Sequence, residues 1–253
     1  MYPKKEIKRV IDGYIAPFNL AGNIYFVGTY QASTHLIDTG DGLIIIDSGY
    51  SDALHIVIDG IHRLGFDPRD IKYIINTHWH IDHTQATAAL ADFTGAKTLI
   101  STPDAETVRE KGIFTPDICL NDGDTVSLGS VNIRCLLTPG HSRGTMSFFF
   151  DTVHGGKTYR AGTFGGAGVN SLVCTSPLYY EGCRADYIRS VERLMGERVD
   201  IFFGNHCWNN NTDGRAARVA AGDKDAFVDP DEWQKFLKYC KDRYLKLTAD
   251  GKE

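Results

Sequence analysis

The stretch Ile71-Lys72-Tyr73-Ile74-Ile75-Asn76-Thr77-His78-Trp79-His80-Ile81-Asp82-His83 decides how the rest is read. Its first six residues have the apolar character of a buried strand. The next seven place four metal-competent side chains within six residues. Residues i and i+2 share a face of an extended segment, so His78 and His80 can point together. Imidazole is the commonest metal ligand at neutral pH, and zinc takes nitrogen and carboxylate oxygen at about 2.0–2.2 Å. Asp82 and His83, in the tight turn that follows, can address a second cation. Two cations ~3.5–4 Å apart can share one hydroxide. A solitary loop histidine is usually solvated or hydrogen-bonded. Four ligand-competent side chains beyond one strand end call for a different explanation, because ligand sites form there.

Outward from this stretch, strands and helices alternate. Asn23–Thr29 and Ser33–Asp38 are short apolar strands. The turn cluster Asp38–Gly42 leads into Leu43–Ile46, an unbroken apolar run ending at Asp47-Ser48-Gly49. Ala53–Leu64 has helical spacing closed by Gly65. Thr84–Phe93 is a helix, Lys97–Ser101 a strand, and Pro103–Lys111 a helix with proline in its first turn. Two hairpins follow, Asp124–Leu128 with Val131–Leu137 and Thr145–Asp151 with Lys157–Ala161. Then come a helix over Arg184–Gly196, a strand over Val199–Gly204 and an amphipathic helix over Asp231–Leu247. Two similar halves are expected. They fit an α/β architecture, an αββα sandwich of two mixed β-sheets with helices on the outer faces, as a single domain over residues 1–253.

Two further strand ends carry histidine. Thr138-Pro139-Gly140-His141 follows Val131–Leu137, and Gly204-Asn205-His206 follows Val199–Phe203. His141 and His206 can complete three protein ligands at each of two cations, with one position left open at each, as in catalytic rather than structural sites. His55, His62 and His154 are read as structural or surface residues, and His35 as undecided. The six cysteines contain no C-x-x-C pair. They are expected as mostly reduced thiols, with a Cys174–Cys183 bridge as the alternative.

Hydrophobic residues make up 42% and charged residues 23%, which excludes disordered, collagenous and coiled-coil chains. A net charge of −5 offers no basic surplus for nucleic acid or an anionic membrane and sets no substrate class; the partner expected for the ligand cluster is a small-molecule substrate. No apolar run approaches the ~18–20 residues of a spanning helix. The basic start is broken by Asp12, Gly13, Pro17, Asn19 and Gly22, where a leader needs an apolar core of ~7–15 residues. With Met1 in place, a cytoplasmic protein is expected rather than a secreted one whose leader has been removed. Oligomeric state is not set by the sequence.

The chain resembles a metallo-β-lactamase-fold hydrolase from about Asn23 to the final helix. The resemblance rests on Leu43-Ile44-Ile45-Ile46-Asp47-Ser48-Gly49, the Thr77–His83 cluster, Thr138–His141 and His206. Within that superfamily it is similar to the third subclass of class B β-lactamases. The residues concerned are Gly22–Thr29, Asn121-Asp122-Gly123-Asp124, Ala220-Ala221-Gly222 and Phe227-Val228-Asp229-Pro230. The resemblance implies two zinc ions at the rim between the sheets. His78, His80 and His141 would hold the first; Asp82, His83 and His206 would hold the second. Asp47 would back a ligand histidine, since a carboxylate ending a buried strand should be paired. A helix N-cap or turn role is its alternative.

The chain also departs from the family. Many members carry a bridging Asp after the strand that here reads Tyr159-Arg160-Ala161-Gly162, where this sequence has Thr163. A threonine hydroxyl stays protonated and is a poor zinc ligand, so Thr163 is expected to face the metal through water. That disfavours glyoxalase-like and most lactonase-like members and agrees with the third lactamase subclass, where a serine stands. A second serine, which binds the substrate carboxylate there, would fall near Gly165, which has no hydroxyl. Thr84-Gln85-Ala86 replaces the usual small residues after the cluster.

The expected function is therefore a zinc-dependent, β-lactamase-like hydrolase. A metal-activated hydroxide, oriented by Asp82, attacks a cyclic amide. The alternative is a lactone, ester or thioester as substrate of the same centre. Tyr30, Gln31, Asn170 and Ser171 are candidate substrate contacts, with plain loop or packing roles as their alternative. An iron-bound flavodiiron-like protein would need a carboxylate at position 163 and a flavin domain. A non-catalytic binding module is at odds with six intact ligand residues.

Overall fold

The computed structural model describes residues 2–249. Strands β1 (Phe18–Ala21), β2 (Ile24–Phe26), β3 (His35–Asp38), β4 (Leu43–Ile46), β5 (Ile71–Ile75), β6 (Lys97–Ser101) and β7 (Ile118–Leu120) form a seven-stranded sheet in chain order. The first four are antiparallel and the last four parallel, with β4 in both groups. Parallel neighbours need crossovers. Helices α1 (Leu54–Arg63), α2 (Ile81–Thr84), α3 (Thr87–Thr94) and α4 (Thr102–Glu110) supply them. Strands β8 (Thr125–Leu128), β9 (Val131–Leu137), β10 (Met146–His154) and β11 (Lys157–Thr163) make an antiparallel meander. After α5 (Cys183–Met195), β12 (Ile201–Phe202) joins β11 in parallel and completes a five-stranded sheet. Helices α6 (Cys207–Asn210), α7 (Thr212–Ala220) and α8 (Glu232–Ala249) end the described chain.

Strand alternation sorts the apolar residues into layers. Ile44, Ile46, Ile75 and Leu99 meet Ile133, Phe148 and Phe150 between the sheets. Leu43, Ile45 and Ile74 point the other way, onto Val57, Ile61 and Leu90 of the helices. Phe149 and Phe202 leave the opposite sheet to pack on Val191, Leu194, Trp233 and Leu237. The run Leu43–Ile46 is unbroken because both of its faces are covered. This is the expected αββα sandwich.

The structure corrects several boundaries. β1 was not foreseen, because Asn19 and Gly22 resemble turn residues; it is a short edge strand whose register slips between Asn19 and Ala21. β7 and α7 were also missed. The helix expected over Thr84–Phe93 is α3, which begins at Thr87; Thr84 ends the separate short helix α2. The Asn23–Thr29 strand shrinks to β2, since the chain folds back so tightly that a Cβ on Gly28 would lie 2.2 Å from the Thr34 amide nitrogen. All six cysteines are free, so the Cys174–Cys183 alternative is not formed. Cys183 Sγ instead lies 3.8 Å from the Ser171 carbonyl, and Cys174 Sγ 3.8 Å from Arg184 Nη2. No helix among the described residues is long and apolar enough to cross a membrane.

Candidate metal centre

The chain leaves β5 at Asn76 and bends through Thr77–Trp79 to His80, which is extended and precedes α2. That geometry turns the His78 and His80 rings into one space, with His78 Nε2 3.1 Å from His80 Nδ1. The β9–β10 connection brings His141 to them. Ligand atoms of His78, His80 and His141 lie within 4.8 Å of one another, and so do those of His78, Asp82 and His83. His206, just before α6, directs Nε2 to within 3.9 Å of Asp82 Oδ2, and His83 Nε2 is 3.3 Å from the same oxygen. Atoms bound tetrahedrally at about 2.0–2.1 Å from one zinc lie roughly 3.3–3.4 Å apart, so these spacings suit a cation.

The outer nitrogens of His78, His83, His141 and His206 are held by the fold. His83 Nδ1 bonds Asp47 Oδ2 at 2.7 Å, and Asp47 also accepts from the Thr77 amide at 2.7 Å and its hydroxyl at 2.8 Å. Asp47 adopts a left-handed backbone, φ +59°, to turn its carboxylate inward. His78 Nδ1 contacts Thr77 Oγ1 at 3.0 Å, and His141 Nδ1 bonds the Gly168 carbonyl at 2.9 Å. His206 Nδ1 bonds the Gln31 carbonyl, and its ring stacks on Trp208 with centroids 4.4 Å apart. Each contact fixes a ring and frees its other nitrogen for a metal. His83 Nε2 is buried with no hydrogen-bond partner, an arrangement that a cation satisfies.

The electrostatics agree. Burial and neighbouring imidazoles push His78 far below its ordinary pKa, His80 to about 2, and His206 to about 3. Burial pushes His141 to about 4. These rings are neutral ligands at pH 7. Burial alone would raise Asp82, but His83, His206 and His80 outweigh it and hold the carboxyl well below its usual range. Burial opposes a charge on His83, yet Asp82 and Asp47 on either side raise it to about 10. A cation binding there displaces that proton.

Asp104, in the first turn of α4, clasps the two ligand loops. It accepts from the Trp79 amide (3.0 Å), the Ser142 hydroxyl (2.8 Å) and the Gly144 amide (2.8 Å). Asp104→Asn leaves one of these buried donors facing an amide NH2. A loss of about 1–3 kcal/mol is expected, read as a lowered melting temperature. An unchanged melting temperature would show that the clasp is idle.

Above the metal-competent side chains lies a cavity of about 1140 Å³. Its walls include Tyr50, Trp79, Ile81, Trp208 and Tyr239, with Tyr2, Pro3 and Lys4 of the N-terminal segment. Burial and Asp82 push the Tyr50 hydroxyl up to about 12, so it keeps its proton and can donate.

Residues 27–204 match the Metallo-beta-lactamase superfamily. The chain belongs to that superfamily. Its fold is similar to subclass B3 metallo-β-lactamase BJP-1 of Bradyrhizobium japonicum (TM-score 0.86, 28% identity, covering 93% of this chain and 94% of that one). It is also similar to metallo-β-lactamase GOB-18 of Elizabethkingia meningoseptica (TM-score 0.85, 26% identity, 99% and 98% covered). Among curated proteins it resembles a hydroxyacylglutathione hydrolase of Chelativorans sp. (strain BNC1), 33% identical over 129 residues, covering 51% of this chain and 47% of the relative. The match spans about half the length of such relatives.

Within this metallo-β-lactamase superfamily fold, the residues expected at the metals converge, whereas the expected substrate contacts divide. Gln31 and Asn170 line the cavity. Tyr30 does not: it is buried beneath the N-terminal segment, where its hydroxyl accepts from the Lys5 amide at 2.9 Å and donates to the Pro3 carbonyl at 3.3 Å. Ser171 is fully buried behind His141, with its hydroxyl 3.3 Å from Nδ1. Thr163 ends β11, with its hydroxyl buried and unbonded. His35 lies outside the centre, edge-on to Phe26 and Phe203 in the core. At Gly165 a Cβ would sit 2.0 Å from the Met146 carbonyl oxygen, so the position has no room for any side chain. Sequence reasoning missed Tyr50, Trp208 and Asp104. The first two stand close to motifs, at the end of the Asp47-Ser48-Gly49 turn and two residues after His206, and that proximity was the available signal.

Proposed function

We propose that the protein is a dizinc hydrolase that opens a cyclic amide, with His78, His80 and His141 on one zinc and Asp82, His83 and His206 on the other. The observation that carries this reading is the donor set: four buried imidazoles and the half-buried His206, three of them (His78, His80 and His141) gathered on one another and two (His83 and His206) directed to the Asp82 carboxylate, while position 163 offers only a hydroxyl. Zinc, when bound, lowers the pKa of water towards ~7 and polarises a carbonyl. Asp82 orients the attacking water by accepting its proton-bearing side. The lowered pKa of Asp82 makes it an anchor rather than a strong base. Tyr50 offers a proton-bearing hydroxyl at the cavity wall. Trp79 and Trp208 supply flat apolar walls that exclude water beside the reacting bond.

Metal analysis after zinc reconstitution should give about two zincs per chain. A value near zero overturns the reading. Nitrocefin turnover, compared with lactone and thioester panels, tests the substrate class. The hydroxyacylglutathione hydrolase relatives favour thioesters as the second reading, and a preference for them would replace the cyclic amide. His206→Ala should leave the first zinc in place and weaken the second by more than the ~10–100-fold that losing an outer partner costs. Metal titration reads this directly. Simultaneous loss of both zincs would show that the two ligand sets are misassigned.

A further inference from the structure

We propose that Lys4 and Arg243 form a recognition site for a carboxylate that the substrate carries away from the carbonyl under attack. The inference rests on the hydrolase reading above and adds a substrate feature to it. Asp82 is the sole carboxylate among the described residues lining the cavity, and it belongs to the metal-competent set. The fixed cations of the same lining are Lys4, from the N-terminal segment, and Arg243, from α8. Neither has an ion-pair partner among the described residues. Each rests on an aromatic ring instead, Lys4 Nζ 4.3 Å from the Trp208 centroid and Arg243 Cζ 5.6 Å from that of Tyr239. An aromatic face positions a cation without neutralising it, so both charges stay available to a ligand. In a chain of net charge −5, two unpaired cations lining one cavity run against the overall sign.

The backbone around Lys4 is docked. The Tyr2 amide donates to the Trp208 carbonyl at 3.4 Å, the Lys5 amide to the Tyr30 hydroxyl at 2.9 Å, and Lys5 pairs with Asp213. Gly165 cannot supply a hydroxyl for a substrate anion, because its Cβ position is filled by the Met146 carbonyl. Charge-assisted contacts from Lys4 and Arg243 perform that task with greater strength than a neutral donor.

The test uses zinc-loaded protein and two small thiols, 3-mercaptopropionate and 3-mercaptopropionamide. The thiol addresses the metal in both, and binding is followed by tryptophan fluorescence, since Trp79 and Trp208 line the cavity. The carboxylate should bind about tenfold more tightly than the amide, with the difference shrinking at high salt. Lys4→Met and Arg243→Met should each narrow the ratio, and the double variant should bring it near unity with amide affinity unchanged. Lys4→Glu, which sets a negative charge against the remaining Arg243, should bring the ratio near unity and remove its salt dependence. Unchanged amide affinity also certifies that the variants are folded. A ratio near one in the parent, or one unmoved in the double variant, overturns the site. Failure of both thiols to bind overturns the zinc pair and this site together. An intact ratio without hydrolysis of any panel substrate would sink the hydrolase reading alone.

Discussion

Asp82→Asn is expected to lower kcat/KM by about 10²–10⁴, the range seen when a positioned proton-transfer group is lost. The side chain has two duties. It is the carboxylate toward which His83 and His206 direct their Nε2 atoms, at 3.3 and 3.9 Å, and it is the cavity-lining acid. Asparagine keeps the shape but carries no charge. The second zinc should therefore leave at a higher free-zinc concentration than in the parent, while the first stays on its three histidines. Steady-state kinetics on the preferred panel substrate, paired with metal titration, read both effects. Activity within about tenfold of the parent, with both zincs retained, would remove Asp82 from the mechanism.

Gly165→Ser is expected to damage the protein rather than improve it. By the family resemblance, a serine near this position would supply a hydroxyl for substrate. In this chain the new Cβ would lie 2.0 Å from the Met146 carbonyl oxygen and 2.7 Å from Thr77 Cβ. Backbone cannot give way as a flexible side chain does, so the cost belongs at or above the upper end of the ~1–3 kcal/mol typical of overpacking. At roughly 2–4 °C per kcal/mol for a chain of this size, the melting temperature should fall by about 6–12 °C. Strain should also reach the centre, because Thr77 bonds Asp47 and its carbonyl accepts from the Met146 amide at 2.8 Å. A β-lactam rate that rises, with a melting temperature within roughly one degree of the parent, would show that the loop can reopen for a side chain.

The parts of the site that were legible share a cause. His78, His80, Asp82 and His83 are neighbours in sequence, and the β5 strand end fixes where they point. His141 and His206 were legible because each also follows a strand. Leu43–Ile46 declared a doubly covered strand by having no polar alternation. The cavity walls carry no such local sign. Lys4 and Arg243 lie near opposite ends of the chain, and only packing of α8 and the N-terminal segment brings them to one space. Tyr30 was misjudged for the same reason, since an early loop residue can face a substrate or a neighbouring segment, and composition does not choose. Asp104 reads as an ordinary acidic residue in a helix's first turn. Its service to two distant loops depends on contacts that no spacing in the sequence encodes.

The two ligand sets are divided between the sheets. His78 and His80 extend from the seven-stranded sheet and His141 from the five-stranded one; Asp82 and His83 come from the first and His206 from the second. Each zinc of the proposed pair is thus a cross-link between halves otherwise joined by apolar packing and by hydrogen bonds such as those of Asp104 and Thr77. Unfolding must release both ions, so the melting temperature should climb with the logarithm of free zinc. The enzyme's abundance in a metal-poor environment would then follow zinc supply, through survival of the folded chain as much as through occupancy of the centre.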